Sequence, residues 1–359
     1  MGDQYPKFKA AAVQTSPVFL DREATVEKAC TLIREASDNG ASLVAFPEAF
    51  VAGYPYWIWM DSPRKHDEYF SRLFKEAVEI PSPTTDALCQ AAKAADVYVV
   101  IGVNEKTPLN MGTMWNTNVV ISREGTILGK HRKLVPTFAE KMIWSRGDGS
   151  GMTVWNTDIG RLGTLACGEN SNTLARYALL AQGEQVHVAN YPAIGGIGQN
   201  TWIHLRAGAH SCEGKVFTVV STSTVGQDIV EMLGNTEEKR EYLVSASAYS
   251  AIFGPNGELL TSIEGEEGII YADIDIEQEI VRKQFHDIIG HYNRFDVLSL
   301  NLNMAEDQPM KLVNSQPGSA DSGSATVEHM ARLLEQTRSE QRELREALER
   351  LTRRLDAEQ

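Results

Sequence analysis

A thiol, a carboxylate and an ammonium each close an apolar run in this 359-residue chain. In Arg161 to Asn172, RLGTLACGENSN, a run that reads as a buried strand stops at Cys167 and enters a Gly/Asn-rich turn. Cys is the side chain nearest to being nucleophilic at neutral pH. The pattern predicts a helix from about Asn172 to Gly183, whose N-terminal partial positive charge would favour thiolate. In Ala41 to Phe50, ASLVAFPEAF, a continuous apolar run reads as a fully buried strand closed by Pro47, with Glu48 at the lip of the core. In Asn118 to Leu134 the pattern predicts a hairpin turning at Arg123, Glu124 and Gly125, whose second strand ends in Lys130, His131, Arg132 and Lys133 before Pro136. One of those cations can face inward. Singly, each feature has an ordinary explanation: a free Cys is most often a small buried hydrophobe, such a Glu a cap or surface acid, and a basic run a solvated strand end. Together they form a set, because a Cys nucleophile needs a base to take its proton and a cation or amide donors to hold the charge that develops on the attacked atom.

The segments around these residues resemble the nitrilase superfamily, marked by a Glu, a Lys and a Cys in that chain order. The Glu motif matches as FPEAFVAGYPYW (Phe46 to Trp57), the Lys motif as HRKLVPTFAE (His131 to Glu140) and the Cys motif as ACGEN (Ala166 to Asn170). The flanks MWNTNVVI, IWSRGDGSG, HSCEGKVFTVV and GHYNRFDVLSLN resemble the branch of true nitrilases more than the amidase or carbamoylase branches. The resemblance implies that Glu48 is the general base, that the Cys167 thiolate adds to a nitrile carbon to give a thioimidate, and that Lys133 stabilises the charge developing on nitrogen. Water attack then expels ammonia, and a second water releases the carboxylic acid from a thioester. Glu140 matches a second family Glu that orients the Lys and the water. The Gly168 backbone N–H is an oxyanion-donor candidate, Tyr54 a pocket residue, and Trp57, Trp59 and Tyr191 further candidates for an apolar lining. Burial would tune Glu48 toward neutrality. The chain departs from the family at Gly168, where most nitrilases carry Trp, which bears on pocket shape; the aromatic GYPYWIW segment favours aromatic or arylaliphatic nitriles. Amidase, carbamoylase and cyanide-hydrating activities on the same triad are the neighbouring readings. A catalytically silent oligomeric scaffold is the reading from a different class, against which the three intact residues stand.

Composition suits a globular enzyme, at 42% hydrophobic and 23% charged residues. A formal net charge of −14 argues against a nucleic-acid or anionic-membrane partner. No apolar stretch is long enough to span a bilayer and the N-terminus lacks a signal-peptide core, so a cytoplasmic protein is expected. Cys30, Cys89, Cys167 and Cys212 are widely spaced, suggesting neither a disulfide framework nor a zinc site. The eight histidines form no HExxH and no clustered ligand set, and there is no GxSxG elbow or nucleotide loop; no metal and no cofactor is implied. His187 or His210 beside Cys167 would suggest a papain-like pair, but no such sequence neighbourhood surrounds the Cys.

These residues need a scaffold, and strand and helix signals alternate to supply one. An opening strand FKAAAVQ precedes a helix from about Asp21 to Ser37, closed by Gly40. A helix near Thr84 to Ala95 leads to the strand VYVVIGV. Hairpins are expected at Asn118 to Leu134 and at Thr153 to Cys167, the latter turning at Gly160 and Arg161. The strand QVHVANY, a helix from about Thr201 to Glu213, the strand KVFTVVSTS and a hairpin turning at Pro255 to Gly257 follow. This is a mixed α/β pattern; the four-layer α-β-β-α sandwich comes from the resemblance, as does a dimer-based homo-oligomer that can extend into a spiral. Residues 1–304 read as the catalytic domain and 305–326, rich in Pro, Gly and Ser, as a flexible linker. Residues 327–359 read as an amphipathic helix with a heptad seam, Val327, Met330, Leu334, Thr337, Gln341, Leu344, Leu348, Leu351 and Leu355, suited to a coiled coil.

Overall fold

The computed structural model describes residues 2–310 except 197 and 309; the C-terminal helix expected at 327–359, and the expected linker from residue 311 on, lie outside them. The first half of the chain runs β1 (Lys7–Gln14), α1 (Arg22–Asp38), β2 (Ala41–Ala45), α2 (Asp67–Glu76), α3 (Pro83–Ala95), β3 (Tyr98–Lys106), β4 (Met114–Ile121) and β5 (Ile127–Arg132). The second continues β6 (Trp155–Thr157), β7 (Gly160–Ala166), α4 (Thr173–Leu180), β8 (Val186–Tyr191), α5 (Gln199–Gly214), β9 (Phe217–Thr222), α6 (Gln227–Leu233) and α7 (Glu237–Val244). It then closes with β10 (Tyr249–Phe253), β11 (Leu259–Glu264), β12 (Gly268–Asp275) and α8 (Gln278–Phe285).

Two six-stranded sheets result, in the orders β12-β1-β2-β3-β4-β5 and β11-β10-β9-β8-β7-β6. Strands β1, β2 and β3 are mutually parallel, as are β7, β8 and β9, and the outer strands are antiparallel. Side-chain alternation assigns the faces. Ala10, Leu43, Val100 and Val120 point between the sheets onto Leu162, Val188, Phe217 and Ile252, while their neighbours Ala11, Val44, Val99 and Val119 point outward onto Val26 and Ile33 of α1 and Leu88 of α3. On the far side, Ile203 and Ala207 of α5 cover Ala189 and Val220, and Ala175 and Leu179 of α4 cover Leu165. The layers are therefore α-β-β-α, as the resemblance implied. Both faces of the central strands are covered, and this is why they read as continuous apolar runs rather than alternating ones.

Asp21 caps α1 by accepting from the Ala24 N–H, and Gly40, at φ +84°, turns the chain into β2. Three sequence expectations shift. The apolar run Ala41 to Phe50 is strand only as far as Ala45; the rest peels away yet stays hydrogen-bonded along β3, through Phe46 N to Val100 O and Gly102 N to Pro47 O. A Cβ at Gly102 would lie 2.4 Å from the Pro47 carbonyl, so this approach requires glycine. The β6–β7 hairpin turns at Asp158 and Ile159, with Gly160 already in the second strand, and α4 stops at Leu180 rather than Gly183.

A buried polar chain ties the sheets together inside the sandwich. Asn118 of β4 donates to Thr164 Oγ1 of β7 at 2.8 Å and accepts from Asn190 of β8 at 2.6 Å, and Thr164 donates to the Val188 carbonyl. Because unpaired buried polar groups are costly, these bonds fix how the two sheets register.

Candidate active site

Strand direction gathers the three reactive residues. Strand β5 is antiparallel to β4 and β4 to β3, so β5 runs with β2 and β3, and Glu48 and Lys133 leave the first sheet at the same edge. Cys167 leaves the second sheet at the C-terminal end of β7, beside the parallel strand β8, which ends in Tyr191. All three turns hold a non-glycine residue in the left-handed region: Ala49 at φ +47°, Phe138 at +47° and Cys167 itself at +49°. Such conformations cost of order 1–3 kcal/mol each and cluster where side chains must be aimed.

The basic run sorts its four cations by partner. Lys130 and Arg132 pair with Glu105, at 2.6 Å and 2.9 Å. His131, fully buried, meets Glu169 at 2.9 Å. Lys133, 1% exposed, donates to Glu48 Oε1 at 2.8 Å and to Glu140 Oε2 at 2.7 Å. Two cations thus face inward, where the sequence suggested one.

The two carboxylates on Lys133 are not equivalent. Glu140 is saturated: besides Lys133 it accepts from the Thr137 N–H at 2.7 Å and from the Tyr54 hydroxyl at 2.9 Å, and Tyr54 in turn accepts from Trp59 Nε1 at 3.1 Å. Glu48 accepts from Lys133 and Asn116 through Oε1 alone, and its Oε2 has no partner among the described residues. One oxygen each of Glu48 and Glu140 and the Cys167 sulfur lie within 4.8 Å of one another. A metal could use that trio only by displacing the ammonium already bonded to both carboxylates. The Glu48 Oε2 is the carboxylate oxygen of the pair left free to accept a proton.

Burial pushes the Glu48 carboxyl up to about 7, with the Lys133 ammonium opposing and the Glu140 charge assisting. Burial alone would lower the Lys133 ammonium, but Glu48, Cys167 and Glu140 outweigh it and hold it well above the usual lysine range. Burial and Glu48 hold the Cys167 thiol well above the usual range despite Lys133. A thiolate favoured by the following helix, as the sequence suggested, is therefore not the resting form: α4 begins at Thr173, capped by the Asn172 side chain, and a 3-10 turn, Cys167–Ser171, intervenes.

The expected pocket residues separate. Tyr54 is aimed at Glu140, so it orients the site instead of simply lining it. Trp57 is fully buried, stacked on Tyr69 at 5.3 Å between ring centroids and tilted against Phe19, which is packing rather than a lining role. Tyr191 is fully buried in the cluster that contains Cys167, its hydroxyl unpartnered among the described residues. A Cβ at Gly168 would meet Thr137 Oγ1 at 3.1 Å, a contact tight enough that the hydroxyl would have to shift. Sequence reasoning missed Asn116 on Glu48, and Glu169, which accepts from the N–H groups of Leu134 and Ala166 and so clamps the Lys133 turn to the Cys167 turn. It also missed a buried cluster of Glu184, His187 and His210, against the expectation that the histidines form no such set. Neither imidazole supplies a papain-like base: both face Glu184, and the other nitrogen of His187 faces Asn170.

The sequence pattern of the carbon–nitrogen hydrolase family matches residues 9–283. A "Nitrilase" of Bacillus sp. strain OxB-1 is 40% identical over 318 residues, 86% of this chain and 91% of the relative. An "Aliphatic nitrilase" of Rhodococcus rhodochrous is 38% identical over 316 residues, 84% of each. Among solved structures, the Saccharomyces cerevisiae Nit3 protein, a member of branch 10 of the nitrilase superfamily, aligns with TM-score 0.64 at 22% identity over 78% of this chain and 94% of its own, a likeness of fold.

Lys133→Met leaves two buried carboxylates without their cation and is expected to lower the unfolding free energy by about 3–5 kcal/mol at pH 8. Urea unfolding at pH 5 should show a smaller loss, since Glu48 is then protonated. Equal losses at the two pH values would contradict the charge assignment.

Proposed function

The chain belongs to the carbon–nitrogen hydrolase family, in its nitrilase branch, and from that premise we propose that it hydrolyses an organic nitrile to the carboxylic acid and ammonia with Cys167 as nucleophile. The observation that carries the catalytic assignment is a Glu48 carboxylate oxygen within 4.8 Å of the thiol, on a carboxylate whose second oxygen is unpartnered among the described residues, beside an ammonium held in place by both carboxylates.

Glu48 takes the Cys167 proton as sulfur attacks the nitrile carbon; Lys133 meets the charge developing on nitrogen, which then receives that proton from Glu48, so a neutral thioimidate forms and the carboxylate is free again. A water adds to its carbon, giving its proton through Glu48, and the tetrahedral adduct expels ammonia to leave a thioester. A second water, deprotonated by the same carboxylate, releases the acid and returns the proton to sulfur. Glu140, its oxygens occupied by Lys133, Thr137 and Tyr54, holds the ammonium. Support for a nitrile rather than an amide comes from the relatives named nitrilases. Gly168 lacks the indole that the resemblance places after the Cys, which bears on pocket shape, and the aromatic GYPYWIW segment favours aromatic or arylaliphatic nitriles.

The same reading includes self-association. Leu174 on α4 and Trp202 and Leu205 on α5 are 63%, 47% and 62% exposed on the outer helix layer, an apolar face suited to a second copy. Four unpaired thiols suit a reducing compartment, and we assign the enzyme to the cytoplasm on that ground; recovery outside the cytosolic fraction would contradict it. Among the described residues no helix is long and apolar enough to cross a membrane.

Three outcomes are expected. Across a panel of aliphatic, aromatic and arylaliphatic nitriles, cyanide and the matching amides, nitriles release acid and ammonia, and Cys167→Ala reduces kcat by ~10³-fold or more. Turnover of amides alone would move the protein to an amidase reading. Because Glu48 must be ionised to act as base, kcat/KM falls as pH drops through about 7. Asn116→Ser, removing a bond that holds the Glu48 carboxyl down, moves that limb upward; a limb near pH 4 in the parent would contradict the role. In light-scattering chromatography, Leu205→Glu shifts the oligomer toward smaller species, and an unchanged mass would remove this face from the interface.

A further inference from the structure

Beneath the Cys167 turn lies a chain of buried polar side chains that the reaction does not consume. Asn170 Nδ2 donates to the carbonyl of Cys167 at 3.1 Å and to that of Leu165 at 3.2 Å. Its Oδ1 faces His187 Nε2 at 2.8 Å, His187 Nδ1 faces Glu184 Oε1 at 2.7 Å, and Glu184 Oε2 faces His210 Nε2 at 2.8 Å. The four side chains come from the Cys167 turn, the turn before β8, β8 itself and α5, and none is more than 2% exposed.

Donor and acceptor rules fix the protons along this chain. The two carbonyls can only accept, so the Asn170 NH₂ must face them and its oxygen must face His187. His187 Nε2 is therefore an N–H. Its other nitrogen faces the Glu184 carboxyl, which burial would push up but which the two imidazoles bring down to about 2. His210, pushed down to about 4 by burial and by the neighbouring His187, stays neutral and donates through Nε2. The donor atoms of Glu184, His187 and His210 converge closely enough for a metal, but the atoms such an ion would take are those already engaged in these bonds.

Cys167, at φ +49°, occupies a conformation that a non-glycine residue avoids unless its surroundings enforce it. From this we infer that His187 is a positioning residue for the nucleophile: backed by Glu184, it locks the Asn170 amide, which holds the Cys167 carbonyl and so keeps the left-handed turn that aims the thiol at Glu48. A strand end would otherwise relax toward extended backbone, swinging the sulfur away. The inference rests on Cys167 being the nucleophile; that reading fails if Cys167→Ala retains turnover, whereas this one fails on a contrast between two His187 variants.

His187→Gln keeps an N–H near the place of Nε2 and so keeps the bond to Asn170, while His187→Asn reaches only Glu184. Both lose the ring and leave similar space, so thermal melting should fall by similar amounts. With positioning, His187→Asn loses about 10²-fold in kcat at nearly unchanged KM, and alkylation of Cys167 by iodoacetamide slows with it. His187→Gln retains most of both. Equal losses in the two variants, or losses that track melting temperature, would overturn the inference. Should His187→Asn fail to fold, the isosteric Asn170→Asp severs the chain at its other end, placing a carboxylate oxygen against the two carbonyls; full kcat in that variant would equally overturn it.

Discussion

A single buried ammonium sets the terms for everything around it. Lys133 has no contact with bulk water, and an isolated ion so placed would cost several kcal/mol even after relaxation. Two carboxylates offset that cost, but they introduce an imbalance: Glu140 and Lys133 neutralise one another, and Glu48 is the surplus charge. Burial raises the Glu48 carboxyl to about 7, with Lys133 opposing and the Glu140 charge assisting, so taking a proton restores neutrality to the buried site. The group that can serve as base is thus the one the ion cluster tolerates least in its ionised form, and the one with an oxygen left unpartnered. Structural burden and chemical readiness fall on different carboxylates of the same pair.

The two sheets make this arrangement rigid by sorting polar groups at their shared edge. On β4, alternation sends Asn116 to Glu48, Asn118 to the opposite sheet and Val120 into the apolar interior, so one strand face serves the site, the sheet register and the core in turn. On β5, the same alternation would expose every other cation, yet Glu105 collects Lys130 and Arg132 and leaves Lys133 free to pair at the centre. Glu169 then joins the ends of β5 and β7 by accepting backbone N–H groups from both. An acid buried at a strand junction can stay ionised when its partners are amides and an imidazole, and here His131 and the amides hold Glu169 below the usual carboxylate range against its burial.

How much of this could be read from residues alone depended on how local each cause was. The central strands were legible because both faces are apolar, and α1 because Asp21 and Gly40 mark its ends. Glu48, Lys133 and Cys167 were legible as charges and a thiol closing apolar runs. Strand β12 was not, since it pairs with β1 across more than 250 residues and its residues are mostly half-buried. The length of β2 was misread because Phe46 to Val51 follow β3 without joining the sheet, an approach that depends on the missing side chain of Gly102. The stacking of Trp57 on Tyr69 was not legible, because an aromatic beside a motif looks the same whether it faces substrate or core. The cluster of Glu184, His187 and His210 has no sequence signature at all: His210 lies one helix beyond the other two, and only the packing of α5 onto β8 brings its ring 4.2 Å from that of His187.

The protonation state of the nucleophile follows from the same electrostatics and shapes the reaction. A thiol held above its usual range by burial and by the Glu48 charge is not a standing thiolate, so the enzyme does not carry a reactive anion exposed to adventitious electrophiles. Intrinsic nucleophilicity rises with thiol pKa, so the sulfur that does lose its proton is a stronger nucleophile than a pre-ionised one. What must be supplied is a coupling between proton loss and attack. In the proposed reaction Glu48 accepts the proton and thereby sheds the charge that the cluster tolerates least, while the negative charge that leaves sulfur reappears on the attacked atom's partner, where Lys133 can meet it. Charge moves across the site without net charge entering it, and a dry, prearranged pocket then stabilises the transition state at little reorganisation cost.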